Sequence, residues 1–154
     1  MIRKSVIAAS TAAAISIAST VVMYFEGNEP KAYLDPIGIP TVCFGHTKTA
    51  KLGQVKTDAE CQALLETDLK IALDEVNRLV KVELPAERRA AFVSFVYNVG
   101  ASKFASSTML KKLNAGDVAG SCAELSRWVY AGGRQLPGLV KRREEERRLC
   151  EVGL

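Results

Sequence analysis

Glu26-Gly27-Asn28-Glu29-Pro30-Lys31-Ala32-Tyr33-Leu34-Asp35-Pro36-Ile37-Gly38-Ile39-Pro40-Thr41-Val42-Cys43-Phe44-Gly45-His46 sets two carboxylates and a hydroxyl within sixteen residues: a Glu, an Asp nine positions on, a Thr six further. The Glu follows an apolar run, and Pro30 breaks any helix soon after it. The Asp and Thr lie in a β-branched segment punctuated by Gly and Pro, which reads as a short hairpin. Two carboxyl groups in different local environments are what glycoside hydrolysis needs. One must hold a proton to donate to the leaving oxygen; the other must stay ionised. Spacing alone does not separate this from two solvated surface charges.

Working outward, the 154 residues suffice for one domain with a real core. They are 48% hydrophobic, with 21 Lys and Arg against 17 acids, a net charge of +4. That mild excess suits a polyanionic envelope but lacks the concentrated stripe of a nucleic-acid binder. Residues 5–25 are uncharged and follow Arg3 and Lys4. They are long enough to span a bilayer as a helix, with the basic flank held inside and the rest exported. The run is rich in Ala, Ser and Thr, so it is only weakly hydrophobic. At about 100° per residue, Val6, Ile7, Ile15, Ile17, Val21, Val22 and Phe25 fall on one half, while Ser5, Ser16, Ser19 and Thr20 fall on the other. A cleaved signal peptide, a permanent anchor, and a segment that enters the bilayer poorly enough to leave it again all fit this description.

The four cysteines are Cys43, Cys61, Cys122 and Cys150, and none lies in the N-terminal segment. An even count in an exported chain points to disulfides. With no C-x2-C spacing and a single His, no metal site is expected. Cys43 with His46 lacks the third group that a nucleophile pair needs.

Thr57-Asp58-Ala59-Glu60 is a capping box. It opens a long amphipathic helix to about Leu79, with Leu64, Leu65, Leu69, Ile71 and Val76 as its buried side. Pro85 opens a second helix. Residues 90–99 are apolar almost all round, so this helix is central and buried, and Gly100 ends it. Short helices are expected around 106–114 and 118–130, with Asp117 as a cap. Ala131-Gly132-Gly133 reads as a loop, and Leu136-Pro137 opens a last helix to Cys150. The fold expected is α+β, mostly α: a small hairpin lobe at 33–56 and a larger helical lobe, joined by the long helix. Cys43 ends the hairpin and Cys61 lies one turn into the long helix, while Cys122 and Cys150 lie on successive helices of the large lobe. The expected disulfides are Cys43–Cys61 and Cys122–Cys150.

The opening string resembles the N-terminal signature of the phage-type lysozymes, glycoside hydrolase family 24. The matching residues are Glu26, Gly27, Tyr33, Asp35, Gly38, Thr41, Gly45 and His46, with Cys43 departing where the family usually has Gly. Cys at that place is similar to the export-type endolysins of lambdoid-like phages, and the likeness runs over about residues 24–150. It implies a two-lobed lysozyme fold and hydrolysis of the β-1,4 bond between N-acetylmuramic acid and N-acetylglucosamine in peptidoglycan, for host-cell lysis. Glu26 would be the acid, Asp35 would act on water, and Thr41 would help hold that water. The family inverts, which places the carboxyls about 6.5–9.5 Å apart.

The resemblance also places Tyr97 and Asn98 of Phe95-Val96-Tyr97-Asn98-Val99-Gly100, and Arg127 of Ser126-Arg127-Trp128, against the glycan. It pairs His46 with Asp68 as a structural contact between the lobes. The last helix supplies a cation for Glu26, either Arg142 or Arg143. Residues 1–25 are then a signal-arrest-release segment and 26–154 the catalytic domain. The expected chain is a monomer, without cofactor or nucleic acid, tethered inactive at the inner membrane through residues 5–25 and then released to the periplasm. Two other readings are a catalytically dead, membrane-tethered peptidoglycan binder and a host-encoded secreted lysozyme with a cleaved signal peptide.

Overall fold

The computed structural model describes residues 2–154, with side chains from Ser10 onward. The placement of Ser5, Val6 and Ile7 on the two halves of the first helix therefore lies outside the described residues. Helix α1 runs from Ile2 to Glu26. Gly27, in the left-handed region at φ 66°, ends it, and its N–H donates to the Met23 carbonyl at 3.2 Å. Only a residue without Cβ takes this conformation cheaply, so Gly27 rather than Pro30 makes Glu26 the last helical residue.

Strands β1 (Glu29–Leu34) and β2 (Pro40–Cys43) form an antiparallel hairpin with Tyr33 opposite Thr41 and Leu34 opposite Pro40. The small lobe thus starts at residue 29, earlier than expected. Asp35-Pro36-Ile37-Gly38 has the side chains a type I turn favours: Asp at the first position, Pro at the second, Gly at the fourth. The Gly38 N–H closes it on the Asp35 carbonyl at 2.9 Å. A second tight turn joins Val42 to His46 through reciprocal 2.9 Å backbone bonds. It requires Cys43 at φ 60°. A left-handed residue with a Cβ costs roughly 1–2 kcal/mol, which explains why a Gly suits this place. Here Cys43 is tied to Cys61 in the first turn of α2, with Cα atoms 5.1 Å apart.

Helix α2 (Asp58–Leu79) carries the full capping box: Thr57 Oγ1 accepts from the Glu60 N–H at 3.1 Å and Glu60 Oε2 from the Thr57 N–H at 2.7 Å. Leu65, Leu69 and Val76 are buried; Ile71, expected with them, is 44% exposed. Helix α3 (Ala86–Val99) is buried from Ala90 through Val96 and stops at Gly100, φ 99°. Three features were not anticipated. A short helix α4 (Ala101–Ala105) follows immediately. After α5 (Thr108–Asn114), α6 (Val118–Glu124) gives way to a 3-10 turn over Leu125–Arg127. Gly132-Gly133, both at positive φ, form the turn of a hairpin between β3 (Tyr130–Ala131) and β4 (Arg134–Gln135). Helix α7 (Pro137–Cys150) closes the chain, with Cys150 bonded to Cys122 at a Cα separation of 5.6 Å. The buried Arg88 guanidinium donates to the Cys150 and Val152 carbonyls at 2.7 and 3.0 Å, satisfying that helix end.

Helix α1 lies mainly along α3 and belongs to the core. From Ser10 on, its fully buried residues are Ala14, Ala18 and Val22, spaced four apart, with Val21 beside them. Ile15 and Ile17 are only half-buried, while Ser16 and Thr20 are exposed. Small side chains let two helix backbones approach closely, and α3 answers with Ala90, Ala91 and Ser94, all buried. We expect Ala18→Leu to overpack this contact and lower stability by about 1–3 kcal/mol; urea unfolding followed by circular dichroism measures it, and an unchanged midpoint contradicts the packing described.

Candidate active site

Glu26 reaches the site because α1 stops there. Its Oε1 accepts from Arg142 Nη1 at 2.7 Å, and its side chain is 26% exposed. A Cβ added to Gly45 would stand 3.2 Å from Glu26 Oε2. Residue 45 must therefore be small as well as left-handed (φ 84°) for the acid and the small-lobe turn to meet. A cavity of about 470 Å³ opens beside Glu26, lined by Gly27, Asn28, Glu29, Ala32 and Tyr33. A second, of about 310 Å³, is lined by Gly45, Tyr97, Lys48, Asp68 and Glu75 among others.

Asp35 is fixed by its own turn. Its Oδ1 accepts from the Ile37 and Ile39 amides at 3.0 and 2.8 Å. Both bonds fall on one oxygen, so Oδ2 has no hydrogen-bond partner among the described residues. Thr41 is buried in β2, and its hydroxyl donates to the Ile39 carbonyl at 3.0 Å, leaving its lone pairs unused. Neither residue bonds directly to Glu26.

Tyr97 bridges the lobes: its hydroxyl donates to the Phe44 carbonyl at 2.5 Å. Burial, then the Asp68 and Glu26 charges, pushes its phenol well above the ordinary tyrosine range, so it stays a donor. Asn98 is exposed, and its Oδ1 accepts from Arg143 Nη2. Because a guanidinium only donates, the amide must present oxygen to it and Nδ2 outward. Arg127 does not join this group. Its side chain is 74% exposed and pairs with Glu124 at 3.3 Å. Trp128 packs edge-on against Phe95, ring centroids 5.2 Å apart.

His46 Nδ1 lies 2.6 Å from Asp68 Oδ2. The Thr49 amide donates to Nε2 at 3.2 Å. A backbone N–H cannot accept, so Nε2 is the acceptor and Nδ1 carries the proton shared with Asp68. Both ring nitrogens are thereby engaged within the protein, as befits a strut between the small lobe and α2.

Of the two arginines expected to offer Glu26 a cation, Arg142 makes the contact; with Glu146, which the sequence pattern does not single out, Arg142 and Arg143 are buried, at 3%, 1% and 0% exposure for Arg142, Arg143 and Glu146. The i, i+3 and i, i+4 spacing of the two arginines from Glu146 was the available signal. Ser94, hidden in the apolar run of α3, completes the cluster: its hydroxyl donates to Glu146 Oε1 at 2.7 Å. Among the described residues no cluster could hold a metal ion, and no helix is long and apolar enough to cross a membrane.

Comparison with known proteins places this geometry. The phage lysozyme family model matches residues 23–146. A SAR-endolysin of bacteriophage PS119 is 47% identical over 99% of this chain and 95% of its own. Among solved structures, the muramidase domain of SpmX from Asticaccaulis excentricus aligns with a TM-score of 0.82 at 30% identity, covering 87% of this chain and 94% of that one. The active form of the P1 phage endolysin Lyz aligns with a TM-score of 0.79 at 27% identity, covering 88% and 84%. The secreted inactive form of the same endolysin gives 0.55, covering 68% and 76%. The conformation described here is thus nearer to the active form.

The Tyr97 bond gives a direct check on the lobe contact. Tyr97→Phe leaves the Phe44 carbonyl without its donor and should cost about 1–2 kcal/mol, read as a lowered thermal midpoint; a midpoint equal to that of the parent chain speaks against the bridge.

Proposed function

The chain belongs to the phage lysozyme family, and on that premise we propose that Glu26, Asp35 and Thr41 make it an inverting muramidase. It is a lysozyme-type glycoside hydrolase, an endolysin for host-cell lysis. The bond cut is the β-1,4 link between N-acetylmuramic acid and N-acetylglucosamine in peptidoglycan glycan strands. Glu26 protonates the leaving oxygen. Asp35 Oδ2 activates or positions a water and stabilises the oxocarbenium-like transition state. The Thr41 lone pairs accept from that water. Inversion needs room for a water between the carboxyls, about 6.5–9.5 Å, and the lack of a direct bond between Glu26 and Asp35 accords with that need. The observation that carries this reading is the Arg142 grip on Glu26 at the end of α1, beside a glycine that leaves the acid open.

Substrate would meet the ring of Tyr97 rather than its committed hydroxyl, together with the outward Nδ2 of Asn98. Arg127 takes a substrate role on family resemblance alone. No cofactor or nucleic acid enters, and the chain acts as a monomer.

Residues 1–25 form the release segment and 26–154 the catalytic domain, the chain being held at the inner membrane before release to the periplasm. The names of the relatives support this, and so does α1 itself. Its run of Ala, Ser and Thr is only weakly apolar, and its small-residue face seats it on α3. While α1 is in the membrane, Glu26 is drawn to the bilayer surface away from Arg142, so the tethered chain is inactive. A dead peptidoglycan binder loses support from the complete Glu, Asp and Thr set. A host lysozyme with a cleaved leader loses support from a relative matched over 99% of this chain.

Glu26→Gln keeps shape and removes the donatable proton. It should lose at least ~100-fold in muramidase rate, measured by zymography on purified peptidoglycan beside the parent chain; near-normal turnover would sink the assignment. Ser16→Leu with Ser19→Leu makes the segment greasier without touching the site. Lysis should be delayed and the chain retained in the membrane fraction. Lysis on the parent schedule would refute release.

A further inference from the structure

Glu146 takes no part in the mechanism above, yet it is fully buried within a cluster of charges that ends on the acid. Its Oε1 accepts from Ser94 Oγ at 2.7 Å and from Arg142 Nε at 3.3 Å; its Oε2 accepts from Arg143 Nη1. Every partner is a donor, the arrangement that a carboxylate satisfies. Burial pushes this carboxyl upward, against the pull of Arg143, then Arg142, then the Ser94 hydroxyl. Burial likewise lowers the Arg143 guanidinium, with Glu146 opposing and Arg142 adding its like charge.

Arg142 therefore has two carboxylates. Its Nε edge faces Glu146 and its Nη1 faces Glu26, while Nη2 lies 3.3 Å from the Ser94 carbonyl. The guanidinium plane is rigid, so fixing one edge aims the other. Arg143 is aimed in the same way, from Glu146 to Asn98 Oδ1 and the Trp128 carbonyl.

We propose that Glu146 is a positioning residue for the acid: it is the standing counter-anion of Arg142 and Arg143, so that Arg142 holds Glu26 in place without relying on it for charge balance. This rests on the lysozyme reading of Glu26. Without Glu146, the two buried guanidiniums would lose the carboxylate they share, and Arg142 would be left with Glu26 alone. That pairing would favour the ionised form of Glu26, the wrong state for a general acid. The groups facing Glu146 are Arg142 and Arg143 of its own helix and Ser94 of α3. Those facing Glu26 are Arg142 of α7 and Tyr97 of α3.

The test uses the full chain with peptidoglycan, comparing Glu146→Gln and Glu146→Asp with the parent and with Glu26→Gln over a range of pH. Gln removes the charge at nearly constant shape, so the alkaline limb of the rate profile should move to lower pH by about one unit or more. Asp keeps the charge but shortens the reach. It should leave that limb in place and lower kcat roughly 10- to 100-fold at constant KM, because Arg142 loses its aim. A folded Gln variant with the parent's pH profile, even with a lower Tm, shows a purely structural carboxylate and overturns the proposal. If the Gln variant does not fold, the Asp variant decides: parental kcat overturns the proposal, and a fall in kcat at constant KM upholds it. An active parent with an inactive Glu26→Gln keeps the lysozyme reading whatever Glu146 does; a parent without activity takes both down.

Discussion

The bond from Arg142 Nη1 to Glu26 Oε1 joins the first helix to the last across 116 positions of sequence, and the site is complete only while it is made. Three conditions must hold together. Helix α1 must lie on α3 so that its last residue arrives beside α7. Gly27 must end the helix there. Arg142, buried among apolar helices, must have its charge answered, since an unpaired buried guanidinium costs several kcal/mol. Glu146 and Ser94 meet the last condition from two different helices. The acid is thus built into the packing of the large lobe, although its neighbours in sequence belong to the small one.

Helix α1 explains why that packing uses small residues. A face of leucines would carry more apolar area, but it would overpack against Ala90, Ala91 and Ser94 and would also make a firm transmembrane anchor. Ala14, Ala18 and Val22 stabilise the docked helix through close approach and dispersion contacts rather than through large apolar area. The same composition gives a segment with little to gain from staying in lipid. Under the proposed release, one set of alanines keeps the segment marginal in the membrane and gives it a fitted seat on the protein.

Much of this was legible in the sequence, and what was missed shares a physical cause. The capping box at Thr57, the stop at Gly100 and the Asp35-Pro36-Ile37-Gly38 turn depend on residues within four positions of one another, so their side chains announce them. Both disulfides follow once the helices are placed. Ile71 was misplaced because amphipathic periodicity marks a face but not how far the neighbouring lobe covers it. The apolar half of α1 includes Val21 and Val22, which are buried, but close packing on Ala90, Ala91 and Ser94 also selects Ala14 and Ala18, which a pattern of large apolar residues passes over. Arg142 and Arg143 stand out as candidate cations for Glu26, but Glu146 is hidden because a run of arginines and glutamates reads as a solvated face; only α3 and α1 closing over it make its charge internal. Gly132-Gly133 reads as a loop in the sequence because its flanking strands are two residues each, too short for an alternating pattern to show.

The two carboxyls therefore differ in how their geometry is specified. Asp35 is oriented by amides two and four residues away, within one turn of one hairpin, and needs nothing from the large lobe to hold its shape. Glu26 is oriented by a residue at the opposite end of the chain and by the seating of a whole helix. Under the proposed roles, a conformational change that unseats α1 removes the acid while leaving the water-handling side preformed, and reseating restores activity without rebuilding the hairpin. Control then falls on the group whose position the fold determines globally. That is the economical place for it, because one helix leaving α3 breaks the Arg142 contact at a stroke, whereas inactivating Asp35 would mean melting a turn held by four short-range hydrogen bonds.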